Sequence, residues 1–243
     1  MRWNGLVAES CSRISSAAPD SDFQRKSSRA DILPELADLP PGFLDAVGAT
    51  PARLESVERF RARLTEANRV ANLVGESTLA DFWRRHFVDS AQLLWAEPPA
   101  LVWADLGSGA GLPGVVLAIL LKDRPGARVH LIESMAKRCR FLAEVVEALE
   151  LPAVVHHARA ESLELNVEMV TARACAPLDR LLTYARPYLA RGARGLFLKG
   201  AEVEAEIAEA RRSWRFKART TPSLSDPRGR LLSIEELVRV AKP

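Results

Sequence analysis

The chain has 243 residues, 48% of them apolar, which suits one domain with an appendage and a full buried core. Its net charge is only +3, so overall basicity does not announce a nucleic-acid ligand, although arginine far outnumbers lysine among the 34 basic residues. Three scattered cysteines without CxxC spacing (Cys11, Cys139, Cys175) argue against a disulfide framework and a zinc site and fit a reducing, cytoplasmic compartment, and the longest strongly apolar run, Leu112 to Leu121, is far shorter than the roughly 20 residues that span a bilayer.

Residues 1–31 are rich in Ser, Arg and Ala, and Glu9, Asp20 and Asp22 interrupt the basic character. They read as a disordered extension rather than a transit peptide, which is usually poor in acids. Residues 32–98 read as a helical region that packs on the core. Within it Leu54, Val57, Leu64, Ala67 and Ala71 mark one buried helix face, a second helix is expected over Leu79–Leu94, and Pro98-Pro99 ends the region. From residue 99 onward strand and helix alternate. Leu101–Leu106 is a strand and Pro113–Leu121 a helix opened by a glycine-rich turn. Arg128–Glu133 is a strand, followed by an amphipathic helix carrying Met135, Cys139, Leu142, Val146 and Leu149. Ala153–His157 and Val167–Arg173 are strands, Leu178–Leu189 a helix and Leu196–Lys199 a strand. Trp214–Thr221 and Arg230–Ile234 finish the chain as two strands around a Pro/Gly turn. The pattern predicts an α/β, Rossmann-like fold: a mostly parallel seven-stranded sheet with helices on both faces and an antiparallel last strand.

Nucleotide-like ligands bind such sheets beyond the carboxyl ends of the strands. The first strand here runs into Asp105-Leu106-Gly107-Ser108-Gly109-Ala110-Gly111, where glycines let a ligand lie against bare backbone. Glu133 ends the second strand, 28 residues after Asp105, where a carboxylate can accept bonds from both hydroxyls of a ribose. The segment Gly109–Gly114 also fits G-x-G-x-x-G, so a nicotinamide-dependent oxidoreductase is the rival reading. Asp105 would repel a pyrophosphate but suits the ammonium of S-adenosylmethionine. Pro113 removes an N–H that pyrophosphate would use, and no Tyr-x-x-x-Lys pair is present. The loop therefore points to S-adenosylmethionine.

Several ordered motifs sharpen this. Asp105 to Gly114, Leu131-Ile132-Glu133-Ser134, Lys137-Arg138, Phe141-Leu142, Arg159-Ala160-Glu161, Thr171-Ala172-Arg173-Ala174, Pro177-Leu178 and Leu198-Lys199-Gly200 follow one another along the chain, with Asn72-Leu73, His86 and Asp89-Ser90 ahead of them. Together they resemble the RsmG (GidB) family, the bacterial 16S rRNA (guanine-N7)-methyltransferases, from roughly Leu44 to Arg239. The resemblance implies a class I methyltransferase fold, S-adenosylmethionine as cofactor and the 16S rRNA of the small ribosomal subunit as partner. It also implies cofactor contacts at Gly107, Leu112, Ala160, Glu161 and Arg173, to which the loop reading adds Asp105, Ser108, Gly109, Gly111 and Glu133. Leu112-Pro113 departs from the Phe-Pro of many members, one apolar residue for another.

Guanine N7 carries a lone pair and no proton, so methylation there asks for alignment and not for a general base. No acid–base residue and no metal is expected; Arg173, Lys199 and His86 are the positioning candidates. Arg173 can hold cofactor, guanine edge or phosphate, Lys199 suits a phosphate, and His86 is either an RNA or lid contact or a structural histidine. His130, His156 and His157 read as structural. In the tail Arg211, Arg212, Arg215, Lys217 and Arg219, with Arg228 and Arg230, set seven positive charges against Asp226. Interleaved with Trp214 and Phe216, the first five are RNA-binding candidates; period-two alternation equally suits a hairpin whose aromatics pack inward. A non-catalytic RNA-binding module on the same fold is the third reading. The chain is expected to be a monomer away from membranes.

Overall fold

Each short apolar strand finds its place in one twisted sheet because the intervening helices cover both of its faces. The computed structural model describes residues 36–97 and 99–240, so the extension expected over 1–31 lies outside the described residues. The strands are β1 (Val102–Leu106), β2 (Arg128–Glu133), β3 (Ala153–His157), β4 (Met169–Arg173), β5 (Arg194–Lys199), β6 (Trp214–Pro222) and β7 (Arg230–Arg239). Their order is β3-β2-β1-β4-β5-β7-β6. All pairs among β1 to β5 are parallel, and β7 runs antiparallel to both β5 and β6, the antiparallel last strand that the sequence predicts.

The helices are α1 (Phe43–Ala46), α2 (Pro51–Ala71), α3 (Glu76–Ala80), α4 (Asp89–Ala96), α5 (Gly114–Leu121), α6 (Ala136–Ala148), α7 (Leu178–Leu189) and α8 (Val203–Ala210). Every residue of α5 is buried. It lies between the sheet and the helices before residue 97, whose Phe60, Leu64, Phe87 and Leu93 share one core with Trp103, Val116 and Leu131. On the opposite face α7 and α8 pack on Ala104, Phe197, Trp214 and Ile234. Among the described residues no helix is long and apolar enough to cross a membrane.

The departures from the predicted elements have physical causes. The buried face of α2 runs through Leu54, Val57, Phe60, Leu64 and Asn68, with Ala67 and Ala71 at its margin. Asn68 is tolerated there because its Oδ1 accepts the Val74 N–H at 2.9 Å. The single helix expected over Leu79–Leu94 is broken at Asp81 (φ −109°, ψ 44°) and resumes as a π-helical segment, Trp83–Val88, before α4. The wider turn buries Trp83, His86, Phe87 and Val88 together, more of the circumference than a straight α-helix would turn inward. α8 lies between β5 and β6, where no helix is expected, and β7, expected to end at Ile234, is carried to Arg239 by pairing with β6.

His130 and His156 meet across β2 and β3, Nδ1 to Nε2, at 2.9 Å. Burial, then the neighbouring His156 and Arg128, push His130 down to about 4. The folded state therefore resists a proton that the unfolded chain accepts at 6.5. The stability this imidazole allows is complete above pH 6.5 and falls as the pH drops toward 4, by about 1.4 kcal/mol per unit. Urea unfolding of the wild type and of His130→Gln at about pH 7.5 and pH 5 is expected to show the wild type losing about 2 kcal/mol more than the variant. Parallel losses would show that this histidine does not couple folding to pH.

Candidate active site

The turn from β1 into α5 is built on a buried acid. Asp105 is fully buried, and its Oδ2 accepts the Gly114 N–H at 3.1 Å. Burial pushes the Asp105 carboxyl up to about 7 against the opposing pull of its hydrogen bonds and of Arg173. Its other oxygen and the Thr171 hydroxyl, in register on β4, have no hydrogen-bond partner among the described residues. Asp105 thus sits beneath the glycine loop and holds it; it lines neither of the clefts described below. Ser108 is also buried, donating to the Asp105 carbonyl at 3.0 Å, and Leu112 belongs to the core. Gly107 (φ 68°) passes so close to Cys175 that an added Cβ would lie 2.7 Å from its Sγ.

Glu133 at the end of β2 completes the loop. Its Oε2 accepts the Gly109 N–H at 3.0 Å and its Oε1 the Met135 N–H at 2.8 Å, with Arg138 at 3.7 Å. Gly107, Glu133, Ala160, Glu161, Ala174 and Cys175 line a cleft of about 310 Å³ beyond the carboxyl ends of β1, β2 and β4. Arg138, Arg159, Arg180 and Tyr184 also face it, and no motif singles out Cys175, Arg180 or Tyr184.

A larger cleft, about 560 Å³, opens beside the first. One wall is the segment from Leu73 to Thr78 with Arg85, His86 and Asp89; the other is the β6–β7 loop with Ser223, Ser225, Asp226 and Arg230; Arg173, Lys199 and Gly200 form the floor. The two clefts share Ala174, the residue after β4, which adopts a positive φ of 49°.

Arg173 sits at this junction. Its Nη1 donates to the Arg85 carbonyl (3.0 Å), to His86 Nδ1 (2.9 Å) and to Asp89 Oδ2 (3.3 Å). A guanidinium only donates, so His86 Nδ1 accepts and Nε2 carries the proton, donating to Thr78 Oγ1 at 3.0 Å. Burial, then Arg173 and Arg85, hold His86 neutral by lowering it to about 3. Asp89 extends the network: its Oδ1 accepts from Ser225 Oγ at 2.6 Å. Gln92, one turn further along α4, accepts the Leu224 N–H at 2.8 Å and donates to Ser223 Oγ at 3.0 Å. Arg85 pairs with Asp226 at 2.8 Å across the cleft. Asp89 carried a sequence signal; Gln92, Ser225 and Asp226 carried none, because their roles arise from contacts between elements more than 130 residues apart.

Lys199 is largely buried. Its Nζ meets Glu206 at 2.6 Å, and Glu206 also accepts the Leu178 N–H that opens α7 at 2.7 Å. The lysine faces the larger cleft with its charge matched. In the tail, Trp214 and Phe216 turn inward against α7 and α8, and the Trp214 indole donates to Asp179 at 2.9 Å. Trp214 is buried there and Phe216 partly buried, the inward packing that period-two alternation suits. Arg211 lies over Phe216, Arg212 pairs with Glu209 and Lys217 with Glu236, while Arg215 and Arg219 stand exposed on the other side of β6.

A model of the family GidB, rRNA small subunit methyltransferase G, matches residues 53–230. Ribosomal RNA small subunit methyltransferase G of Caulobacter vibrioides is 57% identical over 215 residues, 86% of this chain and all of that one. The protein of the same description from Methylorubrum extorquens is 43% identical over 188 residues, 76% of this chain and 89% of that one. Among solved structures, the O-methyltransferase from Bacillus cereus in complex with SAH superposes with a TM-score of 0.50 at 15% identity, covering 73% of this chain and 91% of that one, a likeness of fold alone.

The Gln92 contacts make a direct prediction. Gln92→Leu keeps the volume of a side chain that is 1% exposed but leaves the Leu224 N–H without its acceptor. A loss of about 1–3 kcal/mol is expected, with faster amide exchange confined to the β6–β7 loop. Unchanged protection at Leu224 and Ser225 would show that α4 does not hold this loop.

Proposed function

Since the chain belongs to the GidB family of rRNA small subunit methyltransferases, we propose that its two adjoining clefts are the cofactor site and the guanine site of one methyl transfer. The chain is a 16S rRNA (guanine-N7)-methyltransferase that uses S-adenosylmethionine, and it acts as a cytoplasmic monomer on the small ribosomal subunit. The observation that carries the placement is the junction at Ala174: a glycine loop and a paired carboxylate face one side of it, and a roomier, polar cleft faces the other.

The residues present fit the cofactor. Each Glu133 oxygen accepts one backbone N–H and keeps a second lone pair for a ribose hydroxyl. An added Cβ at Gly109 would meet nothing closer than the Gly107 carbonyl at 3.6 Å, so bare backbone borders open space there. Gly107, Glu133, Ala160 and Glu161 would hold the cofactor directly, and Asp105, Ser108, Gly111 and Leu112 shape the loop from behind. When bound, S-adenosylmethionine supplies a methyl group on a positively charged sulfur.

The protein's own contribution is alignment. N7 of guanine has no proton to lose, so no side chain is required as a base. Holding two reactants in line is worth on the order of 7–11 kcal/mol at best. Arg173, fixed by His86 and Asp89, sets the edge between the two clefts, and Lys199 with Gly200 supports the guanine side.

Small subunits lacking the modification, incubated with the protein and methyl-labelled S-adenosylmethionine, are expected to acquire label at N7 of one guanine in 16S rRNA. Absence of label, or label on another atom, would refute the reading. Glu133→Ala is expected to weaken cofactor binding by about 1.5–3 kcal/mol, as measured by titration calorimetry. A folded variant with wild-type affinity would remove Glu133 from the site.

A further inference from the structure

A third cavity lies behind the guanine-side cleft, apart from the two clefts assigned to the methyl transfer. It holds about 290 Å³ between the end of α4 and the outer strands, with Trp95, Glu97, Leu196, Arg219, Thr221 and Leu224 among its lining residues. The two spaces share a partition. Gln92 and Leu224 face this cavity, whereas Asp89 and Ser225 face the larger cleft. Along α4, Trp95 stands six residues from Asp89, about 9 Å at roughly 1.5 Å per residue. A chain whose target base enters the larger cleft has its neighbouring nucleotide within reach of this one.

The lining chemistry is specific. Trp95 is 39% exposed, although most large apolar side chains of this protein are buried. Phe43 supports its ring at a centroid distance of 5.6 Å. Arg219 is exposed, and among the described residues no carboxylate lies within salt-bridge distance of it. Glu97, the buried acid of the lining, is matched by Arg194 at 2.7 Å, which leaves Arg219 as the unmatched charge of the cavity. An accessible indole, an uncommitted guanidinium and the Thr221 and Ser233 hydroxyls are what a single-stranded nucleotide asks for: a stacking platform, a phosphate counter-charge and hydrogen-bonding edges. The aromatic that serves the basic strand β6 is then Trp95 from α4, since Trp214 and Phe216 face the opposite core.

We propose that this cavity is a second nucleotide site, in which an unpaired RNA nucleotide flanking the target guanine stacks on Trp95 and places its phosphate against Arg219. The proposal rests on the rRNA methyltransferase reading for its occupant.

Two measurements test it. In steady-state methylation of small subunits, Arg219→Gln and Trp95→Leu are each expected to raise KM for the subunit about five- to tenfold, with kcat and cofactor affinity unchanged. Trp95→Phe, which keeps a ring, is expected to stay within about twofold. Arg219→Gln is also expected to flatten the dependence of KM on salt. A raised KM with an unaltered salt slope would assign Arg219 to a protein contact and overturn the nucleotide site. Trp95→Leu loses packing on Phe43; Arg219→Gln alters an exposed side chain and keeps the test decisive if the first variant fails to fold. Binding of a short single-stranded oligoribonucleotide, read by fluorescence anisotropy without cofactor, separates this proposal from the reading beneath it. An affinity about fivefold lower in Arg219→Gln supports the site whatever the methylation result. Equal affinity for wild type and Arg219→Gln overturns it, again independently of methylation.

Discussion

The hydrogen bond from the Gly114 N–H to the Asp105 carboxyl, 3.1 Å long and fully buried, joins the end of β1 to the start of α5, and the glycine loop is arranged around it. An L side chain at position 114 would place its Cβ 2.6 Å from Asp105 Oδ2 and 2.3 Å from the Leu131 side chain, so only glycine lets helix, strand and acid approach this closely. The approach brings α5 flat onto the sheet. With all of its residues buried, α5 can then be covered from outside by α2 and α4 in one continuous core. Because the first N–H of the helix already has a carboxylate, this helix start offers little to a pyrophosphate, which the glycine spacing alone would have allowed.

Arg173 plays the corresponding part at the larger cleft. One guanidinium nitrogen reaches a backbone carbonyl, an imidazole and a carboxylate, all from the segment Arg85–Asp89. Asp89 in turn reaches Ser225 in the β6–β7 loop, so one chain of hydrogen bonds runs from the end of a central strand, through the helical region, to the last hairpin. These three parts are far apart in sequence and wall the same cleft. Depressing the basicity of His86 is a condition of the arrangement: protonated at Nδ1 it would present a donor to a donor.

Period and punctuation were enough to locate β2, β3 and α7 to the residue, because each has a clean apolar rhythm and a clear boundary. Glu133 was legible as well, since it ends a strand whose predecessor runs into the glycine loop. The π-helical segment was not, because its residues satisfy an α-helical pattern and only tertiary contacts select the wider turn. Nor could the sequence tell that Asp105 would lie beneath its loop; an acid before a glycine turn serves equally as a ligand or as a brace, and the choice depends on the approach of α5. Gln92 reads as an ordinary polar residue on a helix until the hairpin 131 residues later is folded against it. The aromatics of β6 show the reverse case: alternation already suggested that they pack inward, and the sheet has α7 and α8 to receive them.

The state of the ionisable groups at the junction bears on the chemistry. Arg173 is held by His86 and Asp89, Lys199 by Glu206, Glu133 by two backbone N–H groups, and Asp105 by Gly114. Each is already engaged with a structural partner, and the histidine nearest the junction has been lowered far from neutral pH. A general base asks for the opposite: a group titrating near the working pH with a free lone pair aimed at a proton. Burial pushes the Asp105 carboxyl up to about 7, but it faces neither cleft. Such a site is poorly suited to removing a proton and well suited to keeping two reactants in a fixed relation. Methylation of N7, an atom with a lone pair and no hydrogen, is a reaction for which that rigidity suffices.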